Sequence, residues 1–509
     1  KSAAGAGATV GSFTGVTTYY GDGTKLTGVG ETIAPWNYNP DVNDLLVTKD
    51  TGIGVTFNKK ILSGSGTATL KIVNAGVAGT TIQSWGVSSC TFNVTDVTFG
   101  SLVSDLTPKE TYQFDIPSGF FKDSNDVDYV GTAWTFAISS SIGRLFVWGR
   151  NEHGELMTND RTHYSSPIQI PGTNWSQIAG QQSADKNLTF AVKSDGTLWC
   201  AGRNNHGQLA QNSQSDNVYY SSPVQIGSDT TWQYDKQSAI CCTEYSAAAI
   251  KKDGTLWMWG QGTNGQLGQN SNISRSSPVQ IPGTTWKVVS GGDLGYSAIK
   301  TDGTMWSWGR NSDGQLGLNQ TAATYYSSPV QIPGTTWNNI SKENWQSMAA
   351  TKTDGTLWVW GHGTEGMAGH NNQTIYSSPT QIPGTTWSTT TGSQSRTRFA
   401  IRTDGTLWGM GRNNEGHLGQ NNRTSYSSPV QIPGSWSDVS CTAPGSVQAV
   451  KTDGTLWRWG NADYGSSGRN NDGNTYLRSS PVQVGSANNW KYLAAGFGNF
   501  RAVTEGDST

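Results

Sequence analysis

The chain has 509 residues, of which only 14% are charged, and a formal net charge of −2. That balance leaves no electrostatic footprint for nucleic acid or an acidic membrane surface, and it lacks the high net charge of a disordered chain. With 64 Gly and 22 Trp, the composition excludes a helical bundle and suits short strands, tight turns and aromatic filling. Five cysteines (90, 200, 241, 242 and 441) lack paired or CxxC spacing, so no disulfide framework or thiol metal site is expected. No apolar stretch approaches the ~20 residues that span a bilayer, so no membrane insertion is expected.

In chain order, residues 1–30 come first, a Gly/Thr-rich stretch unable to build a core of its own. They read as a connector or anchoring segment. Within them "TYYGDGTKLTGVG" (18–30) resembles short repeats common in structural proteins of marine bacteriophages. The resemblance implies contacts to other virion proteins through this segment.

Residues 31–140 form the second segment. Runs such as "GVTFNKKILSGSGTATLKIV" and "TYQFDIPSGFFKDSNDVDYVGTAWTFAI" alternate like the strands of a two-sheet sandwich. Their order resembles the bacterial Ig-like domain of surface-layer and adhesin proteins. In it, "DSNDVD" gathers Asp123, Asn125, Asp126 and Asp128, the oxygen ligands that Ca2+ prefers. It lacks the central Gly and distal Glu of an EF-hand loop, so an Asx-rich turn between strands is the favoured reading and no metal is expected.

Residues 141–509 are periodic. Asp-Gly-Thr-Leu/Met-Trp starts at Asp195, Asp253, Asp302, Asp354, Asp404 and Asp453, 49 to 58 residues apart, after a degenerate copy at Gly143. Ser-Ser-Pro and a following lone Trp each recur seven times, the Trp at 175, 232, 286, 337, 387, 436 and 490. Each unit predicts four short strands, with Asp-Gly as a hairpin turn. In "TLWMWG" both alternating faces are apolar, so both must be covered, as they are when blades stack around an axis. The series opens on the "LFVWG" strand and ends on "FRAVT", so the two ends should pair and close the ring. "DGTLWxWGxNxxGQLG…SSPVQIPG…W" resembles the RCC1-type repeat, which implies a seven-bladed propeller. The fold class is all-β: an Ig-like β-sandwich followed by a seven-bladed β-propeller.

The six His make no HExxH, facial triad or Ser-His-Asp pattern, so no enzyme and no cofactor are expected. Repetition marks scaffold, so the first Trp of each unit (257, 306, 358, 408, 457) is expected to be buried between blades. Departures from repetition mark binding candidates: Tyr219 and Tyr220 in the long loop of 211–220, Trp345 in "KENWQS", and Arg396 and Arg398 in "SQSRTRF". Tyr precedes Ser-Ser-Pro in five units (164, 220, 326, 376, 426), as packing or as a binding rim.

The resemblances imply a non-enzymatic bacteriophage virion structural protein on the particle surface: a tail fibre, spike or capsid decoration. Its propeller loops would meet a host-surface glycan or protein, or other virion proteins. The second reading is a secreted or cell-surface bacterial adhesin with the same domains, and a homo-oligomer is compatible with both. Nucleotide exchange on a GTPase with chromatin binding, the eukaryotic role of RCC1 relatives, lacks the basic tail it would need.

Overall fold

The fold was analysed in a computed structural model. It describes residues 35–39, 54–57, 60–74, 77–93, 96–99, 111–123, 125–128, 131–137 and 143–504, the last span without 182–187, 214–217, 235–237, 293, 322–324, 342–345, 444 and 471–476. The 18–30 stretch and Trp345 therefore lie outside the described residues. The chain divides into two compact units, Lys1–Ser141 and Ile142–Thr509.

In the first unit two four-stranded antiparallel sheets form a sandwich. One orders Pro35–Asn39, Gly54–Phe57, Asp96–Thr98 and Thr91–Asn93; the other orders Thr132–Ala137, Thr111–Ile116, Thr67–Asn74 and Val77–Gly86. Alternation sends Leu70, Trp85, Phe114 and Val97 inward, where Phe99 meets Phe114 edge-on at 4.7 Å. This is the aromatic core of a two-sheet packing.

The second unit is a ring of seven four-stranded sheets. The third blade is representative, with Trp286–Gly292 innermost, then Gly295–Lys300, Met305–Arg310 and Tyr325–Ile332 on the rim. The seventh blade is composite. Arg144–Gly149 pairs with Asn499–Thr504 over six residues, Leu145 opposite Val503 and Gly149 opposite Asn499, so the two ends of the repeat region close the ring as the phase of the repeat predicts.

Each letter of the repeat has a mechanical role. In "DGTMW", Asp302 Oδ1 accepts from the Thr304 amide (2.9 Å) and hydroxyl (2.7 Å), and that hydroxyl accepts from Trp306 Nε1 (3.0 Å). Gly303 sits at φ +78°, and a Cβ there would strike the Thr335 carbonyl. The second Trp reaches back a blade: the Nε1 groups of Trp259, Trp308 and Trp360 donate to the carbonyls of Gln208, Gln266 and Gln315 at 2.8–2.9 Å. An Asn in left-handed backbone then latches each blade to the next. The amides of Asn159, Asn212, Asn270, Asn319, Asn371, Asn421 and Asn470 bond Ser carbonyls of the neighbouring rim strands at 2.6–3.0 Å.

One expectation is corrected. The first Trp of each unit (257, 306, 358, 408, 457) is only half-buried, while the second (148, 259, 308, 360, 459) is fully buried. The first Trp lies at the outer side of its blade, where a cation covers it. Lys300 Nζ stands 4.6 Å from the Trp306 ring and 4.8 Å from Trp286, and Lys193, Lys251, Lys352, Arg402 and Lys451 repeat this sandwich. In the composite blade Thr504 faces Trp490 where the cation would stand, and Phe146 packs on that indole instead.

Candidate binding face

Strand direction sorts the connections onto two faces. The Asp-Gly-Thr turns and the Pro-Gly links between blades lie at one end of the strands. The links between first and second strands, and between third and fourth, lie at the other. The second set forms the loop face, and it holds nearly all of the departures from repetition.

The long loops of that face are braced from within. Asn311 Oδ1 accepts the Leu316 amide (3.1 Å), its Nδ2 donates to the Gln320 carbonyl (3.0 Å), and Gln315 Oε1 accepts the Asp313 amide (2.8 Å). Asn151, Asn204 and Asn413 hold Leu156, Leu209 and Leu418 in the same way. Loop tips on such braces present side chains from a fixed frame, at little ordering cost on binding.

Tyr219 opens the rim strand of the first blade half-buried. Its ring stacks on His153 at 5.2 Å, with the Arg161 guanidinium 5.2 Å from its centroid. Burial holds the His153 pKa below its ordinary value, which keeps the imidazole neutral at pH 7. Tyr220, one residue on, packs against the first-blade core. The other tyrosines before Ser-Ser-Pro are tied likewise: the Tyr376 and Tyr426 hydroxyls accept from Asn372 and Asn422, and Tyr326 donates to Gln320 Oε1 at 2.7 Å. Arg396 sits at φ +59° in a loop of the fifth blade, half-exposed, with Nη1 3.8 Å from Glu365 of the fourth.

Arg398 is a correction. It lies inside the strand Thr397–Arg402, which neighbouring blades cover on both faces, so its side chain cannot reach solvent. Nη1 and Nη2 donate instead to the Ser341 and Ser347 hydroxyls (3.2 and 2.8 Å), and burial lowers its pKa to about 10. In the Ig-like unit, Lys122 Nζ lies 3.0 Å from Asp126 and 3.7 Å from Asp128, so the chain itself supplies a cation to both carboxylates. Asn125 stands exposed in the turn, and Asp123 ends its strand. Among the described residues no three His, Cys, Asp or Glu gather as a metal site.

The sequence reading missed a cluster at the closure seam. The Arg150 guanidinium stands 5.1 Å from the Tyr464 ring and 5.0 Å from Phe497, and it ion-pairs with Glu152. That bond holds the Glu152 carboxyl below its usual range. His163 packs edge-on to Tyr464 at 5.9 Å. Tyr464 is 40% exposed at φ +57°. A signal existed: Tyr464 occupies the slot before Gly that holds His, Asn, Asp or Glu in the other six units. A similar pair, His206 on Tyr245 at 4.6 Å, lies on the same face.

Comparison with known proteins matches this frame. Residues 253–294, 302–350 and 404–446 match the Regulator of chromosome condensation (RCC1) repeat, and residues 36–137 match a bacterial Ig-like domain. The chain carries RCC1 repeats and a bacterial Ig-like domain. This chain's sequence segments are 31% identical over 150 residues to a Protein RCC2 homolog of Danio rerio, covering 28% of each chain. They are 28% identical over 153 residues to the probable E3 ubiquitin-protein ligase HERC4 of Mus musculus, covering 30% of this chain and 14% of the relative. The chain thus spans under a third of the length of these curated relatives. Among solved structures, human WBSCR16 superposes with a TM-score of 0.61 at 17% identity, covering 71% of this chain and all of that one. Yeast RCC1 (Prp20), solved bound to Kap60, superposes with a TM-score of 0.62 at 16% identity, covering 72% and 90%. At those identities the likeness is one of fold.

Proposed function

We propose that the propeller is a non-enzymatic protein-binding module whose loop face carries the contact. One observation supports this most. Residues that break the repeat, among them Arg396, Tyr464 and Phe497, converge on one face of the disc together with Tyr219. Aromatic and Arg side chains are the usual anchors of protein interfaces, and these are held in braced loops. The yeast RCC1 structure bound to Kap60 gives a precedent for a partner on this fold.

In the finer reading the chain is a bacteriophage virion protein, a fibre, spike or capsid decoration at the particle surface, with the loop face turned to a host surface or a neighbouring subunit. Residues 18–30 and the pairing of an Ig-like domain with a propeller support it. The Ig-like match at 36–137 favours a secreted or cell-surface adhesin as the second reading. Quantitative mass spectrometry of purified particles separates the two. The virion reading expects this chain at a fixed ratio to the capsid protein, whereas recovery only in an envelope or secreted fraction overturns it.

A further inference from the structure

A groove of about 540 Å3 opens on the rim between the third and fourth blades, within the ~300–1,000 Å3 usual for small-molecule sites. It opens where a bond found in three other blades is missing. In the first, second and fifth blades a Gln after the braced loop turns back onto its own rim strand. Gln211, Gln269 and Gln420 Nε2 donate to the carbonyls of Gln225, Gln280 and Gln431 at 3.3, 2.9 and 2.9 Å. In the fourth, His370 Nε2 bonds the carbonyl one residue earlier on its rim strand, that of Thr380, at 3.1 Å. In the third blade that position is Leu318, which cannot donate, and it packs with Trp358 against the fourth-blade core. The Gln331 carbonyl thereby lacks the side-chain cap that Gln225, Gln280 and Gln431 carry, and Gln331 lines the groove.

The remaining walls define what would fill it. Half-buried Trp358 and Tyr326 supply aromatic surface, and Lys352 supplies an ammonium 4.1 Å from the Trp358 ring. Among the described residues no carboxylate pairs with Lys352 within 4 Å. Asp354 feels its charge, but its Oδ1 is engaged by the Thr356 amide and hydroxyl. An occupant must therefore donate to a carbonyl, accept from an ammonium and lay an apolar face on aromatic rings. A hexopyranose does all three, since each hydroxyl both donates and accepts and the ring C–H face is apolar. A polyproline segment offers acceptors to Lys352 but has no N–H for Gln331.

We propose that this rim groove binds a hexose unit of a glycan, with Gln331 O as acceptor, Lys352 Nζ as donor, and Trp358 and Tyr326 as the stacking walls. The proposal gives a ligand chemistry to the attachment reading, yet it uses the rim and not the loop face. The two can therefore fail separately.

The test uses the full chain against tetrasaccharides of glucose, galactose, mannose, N-acetylglucosamine and galacturonic acid, with deca-proline as the peptide arm. Wild type should bind at least one saccharide. Leu318→Gln installs the closing residue of the first, second and fifth blades, so it should weaken binding at least tenfold without lowering the melting temperature. Tyr326→Ala, which removes a half-exposed wall, should do the same. Silence of wild type on every saccharide overturns the proposal, as does undiminished binding by either folded variant. Leu318-dependent capture of deca-proline without saccharide binding overturns the choice of ligand. Partner binding through the loop face should be the same in wild type and Leu318→Gln, which separates this result from that reading.

Discussion

The turn face and the loop face of the propeller are made from the same seven units yet carry different kinds of information. On the turn face, an Asp carboxylate, a left-handed Gly and a Thr hydroxyl are fixed by the same bonds in six blades, down to the indole each hydroxyl accepts from. Replacing any of these residues breaks a bond the blade uses to hold its shape. On the loop face only the braces repeat. The residues between braces differ from blade to blade, because nothing in the ring depends on them. Scaffold and contact are thus separated along each strand, at opposite ends.

The comparison breaks most completely at the seam, where one strand serves both faces. Deleting 499–509 removes the partner of Arg144–Gly149 and exposes an apolar edge with Val147 and Trp148. The truncated chain should aggregate or lose its cooperative melt, because an unpaired apolar strand templates pairing with other chains. A soluble monomer with an unchanged melting temperature would show that the ring does not rely on this closure.

A smaller effect separates the two tryptophans of one strand. Trp308→Ala empties a fully buried site and cuts the bond to the preceding blade, so it should cost about 3–5 kcal/mol in denaturant melts. Trp306→Ala loses a half-buried ring and a cation contact, at about 1–2 kcal/mol. Equal costs would mean that the cation sandwich carries as much of the blade as the core does.

How far this was legible from sequence follows from the same division. Seven units, four strands per unit and closure by the two ends of the repeat region are all written in the phase of the repeat. The split between Trp306 and Trp308 was not, because alternation tells which side of a strand a residue faces but not how thick the cover on that side is. Arg398 misled for a related reason: two residues past the loop, a strand between blades has no exposed side. Tyr464 and Phe497 escaped because they lie in different units and meet only across folded loops. The Leu318 groove needed the bonds themselves, since the slot varies among Gln, His, Arg, Thr and Leu and its Gln residues are seen to be caps only in the structure.

The smallest expected effect sets the two faces against each other by pH. On the turn face, hydrogen bonds from Thr hold the carboxyls of Asp253, Asp302, Asp354, Asp404 and Asp453 below their ordinary range. Their contribution is present above the unfolded carboxyl pKa and is lost as pH falls through the depressed values. On the loop face, Glu155 is buried at the junction of the seventh and first blades. It accepts from the His153 amide at 2.8 Å and from Asn499 Nδ2 at 3.4 Å, with Arg501 bonded to the same Asn499. Burial raises its pKa to about 7 against the pull of Arg501 and Arg150. Its contribution is therefore complete below the unfolded value and is lost as pH rises from there to about 7. His153 beside it, depressed by burial, acts only on the acid side. Gln208 and Gln266 occupy the slot of Glu155 in other units and accept the same backbone amide at 2.6 and 2.8 Å. Glu155→Gln should thus keep the brace and remove the fall in melting temperature between the unfolded carboxyl value and about pH 7, leaving the limb set by the turn-face carboxyls as in wild type. A fall over that window that persists in Glu155→Gln would place the titrating group elsewhere and remove the seam from the account.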